Sequence, residues 1–110
     1  MKATGIFLPL VLAAAPVNAG AARVHQVMIE NMKFNPEVVE IEKGDTVMWI
    51  NKDIVPHTAT AEAPAGKKPL FDSGALLSNS SFRYKPKAAG EITYQCLYHP
   101  TMKGRLHIKK

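Results

Sequence analysis

The chain of 110 residues has a single cysteine, Cys96, so no disulfide can form within it. That excludes the disulfide-stapled frameworks on which many small secreted domains rely. Aromatic residues make up 7% of the chain and are not interleaved with its lysines, which argues against a nucleic-acid-binding face. Lysine and arginine number 14 against 9 acidic residues, yet the cations gather into no dense block. A mild positive excess of that kind fits steering toward an acidic partner or a plain solvated surface. No apolar pattern keeps a 3.6-residue period long enough to specify a helix, and no internal repeat is present. The one long apolar run, residues 6–15, is interrupted only by Pro9.

That run belongs to the start of the chain and is best read with its flanks. Lys2 precedes it, and Val17-Asn18-Ala19 closes it in a small-residue cleavage pattern. Residues 1–19 therefore read as a secretory signal peptide, too short to span a bilayer. Cleavage is expected after Ala19, leaving residues 20–110 as one secreted domain. A lone thiol in an oxidising compartment then needs a reason. It is either a buried, inert side chain or a metal ligand.

What is present is a series of short runs with period-two burial, punctuated by Gly, Pro, Asn and Asp, which predicts a β-sandwich or barrel. Residues 24–31 place Val27 and Ile29 on one face, and 38–42 alternate Val39 and Ile41 with Glu40 and Glu42. Gly44-Asp45 turns the chain into 46–51, which carries the sole tryptophan, Trp49. Residues 58–62 form a weaker strand, and 80–85 set Phe82 and Tyr84 opposite Arg83 and Lys85. Residues 91–97 put Ile92, Tyr94 and Cys96 on one face, and 104–110 turn Leu106 and Ile108 inward. Phe34 and Trp49 are candidate core residues, while His25 and His107 read as structural or solvent-facing. The tract 63–79 is the least regular, opened by Pro64, Gly66 and Pro69, and most of it carries no assignment; Gly74-Ala75-Leu76-Leu77 is compatible with a short helical turn.

The chemistry concentrates in Cys96-Leu97-Tyr98-His99-Pro100-Thr101-Met102, with His57 upstream. The face that Cys96 shares with Ile92 and Tyr94 aims it into the core at the end of its strand. Pro100 stiffens the turn that follows, and Gly104 admits the last strand. Two imidazoles, one thiolate and a weak axial thioether make the ligand set of a type 1 (blue) copper centre. Soft sulfur suits Cu(I) and imidazole suits both oxidation states, so an electron can arrive or leave with little rearrangement.

Phe34-Asn35-Pro36, the run Lys43-Gly44-Asp45-Thr46-Val47-Met48-Trp49-Ile50-Asn51, Pro56-His57 and Cys96-x2-His99-Pro100-x-Met102-Lys103-Gly104 together resemble the cupredoxin superfamily. Two residues between Cys and His, and two between His and Met, resemble its amicyanin branch in particular, with plastocyanin and pseudoazurin as cousins. The likeness covers residues 24–108. It implies an all-β, Greek-key β-sandwich of seven to eight strands holding one copper ion, Cu(I)/Cu(II), through His57, Cys96, His99 and Met102. It places His57 behind the copper and His99 near the surface as the electron route. It implies an electron carrier and not an enzyme, a monomer that meets redox proteins such as a periplasmic dehydrogenase or a cytochrome c transiently. Nucleic acid and membrane insertion have no place in it. The expected docking rim is Ile54, Val55, Pro56, Tyr98, Pro100 and Thr101, with Lys103 at its edge. One departure stands out. Amicyanin and plastocyanin usually carry Asn directly after the first histidine, tying the two ligand loops together, whereas this chain has Thr58. The Thr58 backbone N–H can still reach the Cys96 sulfur; the side-chain tether is what the change puts in question.

Two other function classes draw on the same residues. A Cys–His enzyme would use Cys96 as nucleophile and His57 or His99 as base, but no acidic or Asn third member is evident and Met102 would be idle. A copper carrier or homeostasis protein, or a zinc-binding module, could use the same pocket. Copper-handling proteins often dispense with Cys, and structural zinc sites generally take more than one thiolate. The ligand set favours redox work over storage.

Overall fold

The structure is a computed structural model that describes residues 21–110; the expected leader, residues 1–19, lies outside the described residues. Eight strands follow in chain order: β1 (Val24–Glu30), β2 (Lys33–Asn35), β3 (Val38–Ile41), β4 (Thr46–Asn51), β5 (Thr60–Ala61), β6 (Ser81–Tyr84), β7 (Gly90–Gln95) and β8 (Lys103–Ile108). They form two four-stranded sheets, ordered β2-β1-β4-β6 and β3-β8-β7-β5. The described residues contain no helix. This is an all-β sandwich, one of the two architectures that the alternating runs allow and the one that the resemblance implies.

Each sheet turns its apolar alternate positions toward the other. Val27 and Ile29 of β1, Val47 and Trp49 of β4, Val39 and Ile41 of β3, Tyr94 of β7, and Leu106 and Ile108 of β8 are all buried in one cluster. Trp49 is at its centre, with the Phe71 ring 5.0 Å and the Tyr94 ring 5.3 Å away, the latter edge-on at 82°. Aromatic pairs at such separations add attraction beyond the area they bury. Gly104 lies opposite Tyr94 in the β7–β8 ladder. A Cβ there would stand 2.3 Å from the Tyr94 ring, so this glycine is required by close approach of backbone to ring, more than by turn geometry.

Two local features depart from the alternating pattern. The short strand β2 has only three residues, too few to display an alternation. It pairs with β1 through the two-residue turn Asn31-Met32, whose φ angles of 55° and 59° are those of a tight hairpin. The helical turn with which 74–77 is compatible does not form. Leu76 instead makes an antiparallel bridge to His57, and Thr60 makes another to Asp72. The irregular tract is a strap that hydrogen-bonds along residues 57–61, and its Phe71 and Leu76 are core residues.

Candidate metal centre

β4 ends at Asn51, and the loop that follows is built around that side chain. Asn51 is fully buried; its amide donates to the carbonyls of Val55 (2.9 Å) and Leu76 (2.8 Å), and its Oδ1 accepts the Asp53 N–H (2.9 Å). One side chain thus shapes the loop from β4 to His57, in the manner of an Asx turn. The bridge to Leu76 then fixes the His57 backbone, with N–H···O contacts of 3.2 and 2.7 Å. His57 is 0% exposed.

Cys96 directly follows β7 and is buried, as its shared face with Ile92 and Tyr94 predicts. The loop after it closes on itself: the Cys96 N–H donates to the Met102 carbonyl (3.1 Å) and the Met102 N–H to the His99 carbonyl (2.8 Å). Pro100 occupies the second position of that four-residue turn, where its fixed φ is favourable. His99 is half-buried, and the Met102 side chain is buried at the closing end of the loop.

His57, Cys96 and His99 meet. Their donor atoms all lie within 4.8 Å of one another. The Cys96 Sγ is 3.7 Å from His57 Nδ1 and 3.8 Å from His99 Nδ1. A metal with sulfur at about 2.3 Å and nitrogen at about 2.0 Å in a trigonal plane would separate those atoms by about 3.7 Å. The two sulfur–nitrogen distances therefore fit a single copper ion. Met102 is buried at the end of the same loop and is joined to Cys96 and His99 by backbone hydrogen bonds.

Asp53, which no motif singles out, completes the site. Its Oδ2 is 2.8 Å from His57 Nε2, while its two oxygens accept the N–H groups of Asn31 (2.8 Å) and Met32 (3.0 Å). Burial raises the Asp53 carboxyl, but these amides and the His57 ring outweigh it and hold it below its ordinary range. An ionised carboxylate accepts only, so Nε2 carries the His57 proton and Nδ1 turns its lone pair to the cluster. That is the tautomer a metal requires. An Asp four residues before a loop histidine was the available signal, but only the folded loop brings them together.

Asp53 also supplies the acid that the Cys–His enzyme alternative lacked. Burial weighs against that reading: Cys96 is 0% exposed, and a nucleophilic sulfur needs a face open to substrate. The departure at Thr58 resolves as well. Its backbone N–H donates to Cys96 Sγ at 3.3 Å, and its hydroxyl accepts the Leu97 N–H at 2.8 Å. Threonine keeps the two loops tied.

Of the residues expected at the docking rim, Ile54 is 92% exposed, Val55 and Pro56 are exposed in the His57 loop, and Tyr98, Pro100 and Thr101 are exposed in the loop that carries His99. Lys103 is not a free charge at the edge of this rim, because its ammonium pairs with Glu62 and Gln95. His25 and His107 take no part in the cluster and pair with Asp45 and Glu91.

A two-sheet sandwich with one Cys and two His converging between its ligand loops defines a class, that of small β-sandwich proteins with a copper-fitting centre. Comparison with known proteins places the chain within it. The family model described as a cupredoxin-like domain matches residues 3–108. Amicyanin-alpha of Methylorubrum extorquens is 32% identical over 84 residues, covering 76% of this chain and 71% of its own. Among solved structures, a methionine-to-alanine mutant of amicyanin in the Cu(I) form superposes with a TM-score of 0.72 at 26% identity, covering 78% of this chain and 82% of that one. The crystal structure of amicyanin from Paracoccus versutus gives 0.69 at 29% identity, covering 78% and 81%. The chain belongs to the cupredoxin-like family, and its likeness within that family is to the amicyanins.

Proposed function

We propose that the chain holds one copper ion through His57, Cys96, His99 and Met102 and carries single electrons between redox proteins. The observation that carries this reading is the buried Cys96 sulfur with an imidazole nitrogen on each side, at 3.7 and 3.8 Å. The amicyanin solved in its Cu(I) form supports copper as the ion. When bound, copper supplies a one-electron change whose two states both accept sulfur and imidazole.

The chain's own residues do the rest. Asp53 and the Leu76 bridge lock the His57 ring, and the closed loop 96–102 holds Cys96 and His99 in place. Little moves when the charge changes, which keeps the reorganisation small. Met102, buried at the loop's end, would supply the thioether that the resemblance to the amicyanins implies. Core packing keeps water from the sulfur, and half-buried His99 leads to the apolar rim. That rim suits brief contact with a partner, since electron-transfer encounters are small and weak. We assign residues 1–19 as a leader that delivers residues 20–110 to the periplasm, where a dehydrogenase or a cytochrome c is the class of partner.

Electron carriage and copper delivery predict different behaviour of the same pocket. Reduction and reoxidation by a redox protein over repeated cycles, with one copper retained per chain, is the expected result. Transfer of the metal to an apo-acceptor on first reduction would overturn electron carriage in favour of a copper carrier.

A further inference from the structure

Three side chains that supply no metal ligand form a hydrogen-bond chain that ends beside Cys96. Asp72 Oδ1 accepts the Gly74 N–H at 2.9 Å and the Thr60 hydroxyl at 3.1 Å. With its only proton directed to the carboxylate, Thr60 Oγ1 can act toward Thr58 Oγ1, 2.9 Å away, only as an acceptor. Thr58 in turn gives its proton to Thr60, and its free lone pair receives the Leu97 N–H at 2.8 Å. Every member therefore has one permitted direction, from the Leu97 amide through two hydroxyls to a carboxylate. Thr58 and Thr60 are 2% and 4% exposed, so water does not compete for either hydroxyl. A hydroxyl that donates to a strong acceptor becomes a better acceptor itself, and the chain strengthens its last link, the one on Leu97.

That last link matters because of where it attaches. Leu97 follows Cys96, and the Thr58 backbone N–H donates to the Cys96 sulfur at 3.3 Å. Residue 58 is thus joined to residues 96 and 97 by two contacts, and the relay fixes one of them. We propose that Thr60 and Asp72 are positioning residues of the metal centre, which hold Thr58 against Leu97 and thereby hold the N–H···S contact on Cys96. The relay does with two hydroxyls and a carboxylate what a side-chain amide would do directly at residue 58. An N–H aimed at sulfur draws charge from it and favours the reduced state, so loosening the relay lowers the reduction potential. The spectroscopic arm of the proposal rests on the copper reading above; the hydrogen-exchange arm does not.

The test compares Thr60→Val, which removes the hydroxyl at nearly constant shape, with Thr60→Ser, which keeps it. In the metal-free protein, amide hydrogen exchange at Leu97 is expected to accelerate about tenfold in Thr60→Val and to stay within about twofold of wild type in Thr60→Ser. In the copper-loaded protein, Thr60→Val should shift the visible band and lower the potential, and Thr60→Ser should do neither. Asp72→Ala cuts the relay at its exposed end and should move both readouts the same way, which keeps the test open if Thr60→Val fails to fold. Leu97 exchange and potential both at wild-type values in folded Thr60→Val or Asp72→Ala would overturn the proposal. Equal shifts in Thr60→Ser and Thr60→Val would overturn it too, since packing and not the hydroxyl would then be at work. A wild-type protein that takes up no copper would sink the copper reading, and Leu97 exchange would then decide the relay by itself.

Discussion

The chain carries two aspartate–histidine pairs of the same length, one at each end of β4, and they do different things. At the start of β4, Asp45 meets His25 Nε2 at 2.8 Å; in the loop after its end, Asp53 meets His57 Nε2 at 2.8 Å. Each aspartate also accepts two backbone N–H groups, from Arg23 and Glu42 in the first case and from Asn31 and Met32 in the second. What differs is the far side of the ring. His25 is partly exposed, whereas His57 is fully buried and turns Nδ1 to the Cys96 sulfur. The pairing itself is therefore a way of fastening a loop, to strand β1 in the first case and to the β1–β2 turn in the second. It becomes part of a metal centre only where the second nitrogen faces another donor.

Breaking the two pairs in turn should separate these roles, and the larger effect belongs to the second. Asp53→Ala removes the group that fixes the His57 tautomer and ring, and copper affinity is expected to fall by about 10–100-fold, read by competition with a chelator. Asp45→Ala should leave copper affinity unchanged and cost about 2 kcal/mol of stability, because a buried carboxylate that three N–H donors require is gone. Denaturant unfolding of the metal-free protein checks it. An equal loss of affinity in both variants would mean that loop fastening, and not the second nitrogen, sets the site.

Acid sharpens the comparison further. The His25 hydrogen bond, opposed by burial and assisted by the Arg23 and Glu42 amides, holds the Asp45 carboxyl below its ordinary range. A carboxyl whose folded pKa is depressed stabilises the fold above its unfolded value, near 3.9, and that contribution is lost as pH falls through the folded value. Asp53 is shifted in the same direction. Unfolding free energy of the metal-free protein should therefore fall below about pH 4, and Asp45→Asn should flatten that fall. A slope unchanged in Asp45→Asn would remove Asp45 from the account. The smallest effect is expected at Lys103. Because Glu62 and Gln95 already engage it, Lys103→Ala should change the electron-transfer rate by less than about threefold at low salt. Pro100→Glu, in the rim itself, should slow transfer more.

How much of this could be read from the amino-acid order follows from the range of the interactions. Strands with four or more alternating positions, such as 38–41 and 46–51, display their buried face directly, and Cys96 declares its direction by sharing period two with Ile92 and Tyr94. The loop 96–102 is local, so spacing alone brings Cys96, His99 and Met102 near one another. His57 reaches the same point only through the packing of two sheets, and it was placed there by resemblance. The contributions of Asp53, Asn51, Thr60 and Asp72 were not legible. Each acts through a single hydrogen bond or a few to groups distant in sequence, and a polar loop residue gives no periodic signal of its partner. The strap at 71–76 was hidden for the same reason: its contacts to residues 57–61 are bridges, too short to leave a pattern.

The central claim is that His57, Cys96 and His99 form one type 1 copper centre, and titration of the metal-free protein with Cu(II) under a visible spectrometer tests it most directly. The account predicts an intense sulfur-to-copper band that saturates at one copper per chain and is absent in Cys96→Ser. Saturation without that band, or a Cys96→Ser protein as blue as the wild type, would contradict it.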